Sequence, residues 1–167
     1  MRLVLLALLL SACTAVPTTD QPTDGRPADF SVRYDWDTGS LPPPYHYRVV
    51  TEVGPDGDGT ATVTLHYGEG PSHTVAFRLD AAALDALYAD LRAEGLSSTA
   101  WAEESHPPVG GAYGWVTAAA DGRTVEVPAF VVAGQRAAAA RITERVRAAV
   151  PEAERAALAA WREEAQR

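Results

Sequence analysis

A single cysteine among 167 residues rules out any intramolecular disulfide, so the fold must rest on a hydrophobic core. Lysine is absent. All 14 basic residues are arginine, and together with 32 alanines this bias reflects a GC-rich coding sequence rather than a binding device. Positive charge is also scarce overall. Against 22 Asp and Glu the formal net charge is −8, which excludes the basic stripe that a nucleic-acid binder needs. Spanning a bilayer as a helix takes roughly 20 apolar residues, and the apolar run Leu3 to Leu10 stops at eight. No internal repeat of useful length is present. What remains is a hydrophobic content of 47%, typical of a globular chain, and a length that fits one domain with or without tails.

The first thirteen residues carry the most specific signal. Met1 and Arg2 form a short basic start, Leu3 to Leu10 (LVLLALLL) suits the apolar stretch of an export signal, and Leu10-Ser11-Ala12-Cys13 follows. This tetrapeptide resembles the bacterial lipobox. The resemblance implies a diacylglyceryl group on the Cys13 thiol and cleavage just before it, so that residues 1–12 are a signal and 155 residues remain. It further implies a lipoprotein held on the extracytoplasmic side of a membrane. One acyl chain anchors only marginally and two or more anchor stably. Thr14 to Asp29 (TAVPTTDQPTDGRPAD) lacks apolar periodicity and is expected to act with Cys13 as anchor and tether over 13–29. Such a tether spans roughly 20–25 Å as a coil and about 55 Å extended.

Residues 30–167 read as one α+β domain. Phe30, Val32, Tyr34 and Trp36 alternate with Ser31, Arg33 and Asp35, the period of a half-buried strand. Thr38 to Pro44 breaks the pattern. A second strand places Tyr45, Tyr47, Val49, Thr51 and Val53 on one face. A third alternates Ala61, Val63, Leu65 and Tyr67 with Thr60, Thr62, Thr64 and His66, and a fourth carries Val75, Phe77 and Leu79. Asp80 caps a helix whose Leu84, Leu87, Tyr88 and Leu91 form one stripe, ending at Gly95. A hairpin of Ala112 to Ala119 and Thr124 to Val132 turns at Asp121-Gly122, with Pro128 marking an edge or bulge. A helix from Gln135 to Val150 and another from Pro151 to about Gln166 complete the chain. The expected architecture is β-β-β-β-α-β-β-α-α, a mainly antiparallel sheet of about six strands with helices on one face.

Few residue groupings point to chemistry. His66 and His73 flank one turn, but their numbers sum to an odd value, so antiparallel pairing sends them to opposite faces and no metal site is expected. His46 and His66 share the polar face with Arg48, Glu52, Thr62 and Thr64. That patch is a solvated face or, alternatively, a binding surface. The run Glu103-Glu104-Ser105-His106 contains an acid, a hydroxyl and an imidazole, yet working triads are assembled from separate elements. Asp56-Gly57-Asp58-Gly59 lacks the glycine and glutamate a calcium loop would need at Ala61 and Tyr67. Val109 to Gly114 is glycine-rich but leads into a strand, whereas a phosphate cradle needs a helix N-terminus. No cofactor is expected. Arg136, Arg141, Arg145 and Arg147 give the second helix a basic face, for solvent or for anionic headgroups.

From Thr60 to Val150 the layout of hairpin, Leu84/Leu87/Leu91 helix ending at Gly95, loop, hairpin turning at Asp121-Gly122-Arg123, and C-terminal helix is similar to small emfourin-type domains. The resemblance implies inhibition of thermolysin-like metalloproteases. The reading that follows is a lipid-anchored envelope lipoprotein with a non-catalytic binding or structural role and an envelope protein as partner. The alternatives are a protease inhibitor, contacting its target through Thr38–Pro44 and Trp101–Gly111, and an envelope hydrolase. The candidate binding residues are His46, Arg48, Glu52, His66, Trp101 and His106, with Cys13 as the lipidation site.

Overall fold

The computed structural model describes residues 25–167, so the expected signal, Cys13 and residues 14–24 of the expected tether lie outside the described residues. Period-two alternation produces six strands: β1 (Ser31–Asp37), β2 (Tyr47–Val53), β3 (Asp58–Leu65), β4 (Ser72–Arg78), β5 (Tyr113–Ala120) and β6 (Arg123–Val127). They form one antiparallel sheet in the order β4-β3-β2-β1-β5-β6. Three helices, α1 (Ala81–Ala93), α2 (Arg136–Ala149) and α3 (Glu152–Ala165), complete an α+β domain with the element order the sequence implied.

Register fixes the two faces. Val32 lies opposite Val53 and Ala118, and Tyr34 opposite Thr51 and Val116. Ala61 lies opposite Val75, so one continuous set of apolar side chains faces the helices. Helix α2 lies over β1 and β5, and α3 over β3 and β4. Leu84, Leu87 and Leu91 of α1 are buried in the same core, each worth roughly 1.5–3 kcal/mol. The ends of α1 follow their sequence signals. Asp80 Oδ1 accepts from the Ala83 N–H at 2.7 Å, and at the other end Gly95 takes φ 87° while the Leu96 N–H returns to Leu91 O at 3.0 Å.

Several boundaries differ from the sequence reading. Strand β3 stops at Leu65 because His66 and Tyr67 adopt φ of 56° and 59° and leave the ladder, so Tyr67 does not join the apolar face. Strand β2 starts at Tyr47, since Tyr45 donates into a turn to Pro42 O at 2.9 Å. Strand β6 ends before Pro128, which has no N–H to give the ladder; beyond it Val131 makes an isolated bridge to Glu103. Packing contacts begin at Arg26 rather than Phe30. Arg26 pairs with Asp85 at 2.8 Å and donates to Pro55 O at 3.1 Å.

The entry end of β1 is closed by hydrogen bonds. Asp121 and Gly122 form a two-residue hairpin turn with φ of 53° and 67°, and both N–H groups donate to the Asp29 carboxylate at 2.9 and 2.6 Å. Those two bonds, the one from Gly122 first, hold the Asp29 carboxyl below the usual carboxylate range. Phe30 is buried and meets Tyr88 edge-on with ring centroids 5.0 Å apart.

Candidate functional site

The sheet face away from the helices carries a connected ionic network. Asp35, on β1, is only 2% exposed, because two arginines and an indole lie across it. Arg33 Nε and Nη2 donate to its two oxygens at 2.6 and 3.2 Å, and Arg48 Nε donates to Oδ1 at 2.9 Å. Arg33 also pairs with Glu52. The Arg48 guanidinium sits 5.6 Å from the Trp115 ring centroid, and Trp115 stacks on Tyr113 at 6.1 Å. Two cations and two carboxylates therefore satisfy one another. Arg48 and Glu52 join this network as the sequence grouping placed them, but its hub, Asp35, was missed. The alternation that puts Arg33 and Asp35 on one face, together with the pairing of β1 with β2, was the available signal.

The two histidines of that grouping separate. His46 is buried just ahead of β2. Its Nδ1 accepts the Tyr67 N–H at 2.9 Å, which leaves the proton on Nε2 to donate to Asp37 Oδ1 at 3.0 Å. The Tyr67 ring stacks on the imidazole at 3.7 Å. His66 is not on the sheet face as expected but in the turn after β3, and among the described residues its buried Nε2 has no partner. His73 lies on the apolar face and stacks on Trp161 at 5.3 Å, opposite in direction to the polar set as its parity required.

The loop candidates also part company. Trp101 packs against the core and its indole N–H donates to Leu96 O at 3.0 Å, so it braces the end of α1 instead of standing on an exposed loop. His106 is exposed and among the described residues bonds only its neighbour Ser105, at 3.0 Å, while Glu104 turns to Arg136 at 3.3 Å. The acid, hydroxyl and imidazole are thus not in line. On α2, Arg141 pairs with Glu94 and Arg145 with Asp90, at 2.6 and 3.4 Å, which joins the helix to α1. Among the described residues no three His, Cys, Asp or Glu side chains converge to hold a metal ion, and no helix is long and apolar enough to cross a membrane.

Apolar exposure has a pattern that the ionic groups lack. Among the described residues the exposed large apolar side chains are Leu41, Tyr45, Tyr67 and Val109, with Tyr45 at 61% and Val109 fully exposed. All four lie at the end of the sheet where β1 finishes. The Tyr67 hydroxyl donates to Leu41 O at 2.5 Å, tying the β3–β4 turn to the Thr38–Pro44 loop. Gly39, at φ 73°, lies so close to Gly111 that a Cβ there would sit 2.1 Å from its carbonyl oxygen; this contact joins the loop to the glycine-rich segment after Val109. His46 and Asp37 form the rigid base under Tyr67. No family model matches the chain, and no curated protein is similar to it.

Proposed function

We propose that this protein is a lipid-anchored cell-envelope protein that acts without catalysis, by binding a partner protein through the end of its sheet farthest from the anchor. One observation carries the reading. The segment leading from Cys13 enters at the start of β1, beside Arg26 and Asp29, whereas Leu41, Tyr45, Tyr67 and Val109 cluster beyond its other end. The seven residues of β1 separate the two by about 20 Å. On this reading the expected anchor and tether over 13–29 join the domain at the entry end of β1, and the apolar end is left for a partner. Exposed aromatic and aliphatic side chains on a rigid base are the usual anchors of a protein interface. The polar groups support the same reading. Asp35, Arg48 and His46 are committed to one another or to their neighbours, which leaves them a framework role.

Two measurements test this. The Cys13→Ser protein is expected to lose lipid labelling and membrane retention. The anchored chain is expected to capture an envelope protein that a Tyr45→Ser, Val109→Ser chain does not. Membrane retention of a processed Cys13→Ser protein, or capture unaffected by the two tip changes, contradicts the proposal.

The contact between Gly39 and Gly111 favours a second reading in which the partner is a protease. It unites Thr38–Pro44 with Val109 in one protrusion flanked by prolines and glycines, a shape suited to a protease cleft. Inhibition of a thermolysin-like metalloprotease by the full chain supports this reading, and no inhibition at high micromolar concentration overturns it.

A further inference from the structure

Helix α2 lies over β1 and β5 and α3 over β3 and β4, and the space beneath them is not filled. A cavity of about 750 Å³ opens on the α2 side, over Tyr34, Trp36 and Gly114; α2 lines it with Ala139 and Ala140 and, around them, Arg136, Thr143, Glu144 and Arg147. A second, of about 290 Å³, lies on the α3 side over Val49, Val63 and Leu158. Both are lined by Tyr34, Trp36 and Arg147, so they are two chambers of one cleft. Two connected chambers with an apolar floor suit an extended hydrocarbon better than a compact ring.

The electrostatics of the smaller chamber run against the rest of the molecule. In a chain of net charge −8, three arginines line it (Arg147, Arg155 and Arg162) and no carboxylate does. Their hydrogen-bonding capacity is largely unspent. Among the described residues Arg155 has no ion pair, and the buried Nε of Arg162 has no partner. Arg162 Nη1 donates to the Tyr47 hydroxyl at 2.8 Å, and its Glu163 contact is long, at 3.9 Å. Arg147 pairs with Glu144 at 3.6 Å, both side chains exposed. The Tyr34 hydroxyl faces the cleft with no partner among the described residues. Burial pushes this phenol up to about 12, with Arg147 pulling down and Glu144 pushing up, so it stays a neutral donor.

We propose that the cleft between α2 and α3 binds a long-chain carboxylate, its head held by Arg147, Arg155 and Arg162 and its chain laid over Tyr34, Trp36 and Val49. Guanidinium forks match a carboxylate in a bidentate way, and apolar lining with a few convergent polar groups is the ordinary make-up of a small-molecule site. This inference goes beyond the reading above and rests on a different surface, so failure of either leaves the other standing.

The test uses the full chain with Cys13→Ser, which carries no lipid of its own, titrated with laurate, dodecanol and dodecyltrimethylammonium by calorimetry. Laurate is expected to bind saturably at micromolar concentration, with the alcohol and the cation at least tenfold weaker. Arg155→Gln, on an exposed helix surface, is expected to weaken laurate at least fivefold and leave dodecanol unchanged. Ala140→Leu, which narrows the larger chamber from an exposed position on its wall, is expected to weaken both laurate and dodecanol without lowering the melting temperature. Equal affinity for the three head groups, no saturable laurate binding, or indifference to both substitutions overturns the proposal.

Discussion

The two ends of β1 are built differently. At the entry end the charged groups that precede β1 are paired: Asp29 caps the Asp121-Gly122 turn and Arg26 bonds Asp85 and Pro55, while Phe30 fills the core against Tyr88. At the far end the large apolar side chains around Tyr67 face solvent, and two consecutive non-glycine residues, His66 and Tyr67, hold positive φ where the entry end has Asp121 in its hairpin turn. Strained backbone and exposed apolar area both cost stability, and they persist together where the surrounding structure enforces them. Polar groups at one end are committed to the fold, while the other end leaves large apolar side chains in solvent, as the proposed binding role requires.

Substitutions at the entry end should cost the most stability. Phe30→Ala removes a fully buried ring and is expected to cost about 4 kcal/mol by chemical denaturation. A loss below about 1 kcal/mol would mean that this end is not the anchor of the core. The base of the far end comes next. His46→Ala leaves the Tyr67 N–H without its partner and removes one of two donors to Asp37 Oδ1, the other being the Gly39 N–H, and about 2 kcal/mol of stability should go with it. Partner capture should fall as well, since Tyr67 loses its seat.

A smaller effect concerns pH. The Asp29 carboxyl titrates below its ordinary value in the folded chain, so it contributes stability that is fully present above the unfolded pKa, near 4, and is lost as pH falls through the lower folded value. Stability measured from pH 5 downward should decline less steeply in Asp29→Asn than in the parent; an unchanged slope would show that the turn bonds do not favour the charged form. Smallest of all, Tyr45→Ser and Val109→Ser should each move stability by no more than about 0.5 kcal/mol, because their side chains are already in water. A large loss in either would make the exposed cluster a structural feature after all.

How much of this was legible in the sequence follows from how local each cause is. Helix α1 was readable to its last turn, because Asp80, the leucine stripe and Gly95 act within a few residues. Strand faces were readable because alternation and short turns fix register; His73 follows its parity. The end of β3 was not, since nothing in the residue types of His66 and Tyr67 announces positive φ, and the alternation carried Tyr67 into the core by extrapolation. The burial of Asp35 on an otherwise open face required knowing that Arg33, Arg48 and Trp115 meet over it, which depends on strands far apart in the chain. Of the proposed binding residues, Arg48 and Glu52 share one network, His46 lies under the far end, and Trp101 belongs to the core. The α2–α3 cleft had no sequence signature, because it comes from where two helices settle on strands far from them in the chain.

The central claim is that the far end meets a partner while the entry end meets none. Site-specific photocrosslinking in intact cells tests it most directly, with a photoreactive residue placed in the full chain at Tyr45 or Val109 and, as the opposing pair, at Asp56 or Arg123. A discrete adduct from the first two positions and none from the second two is the expected result. Adducts from Asp56 or Arg123 alone, or equally from both ends, would contradict it.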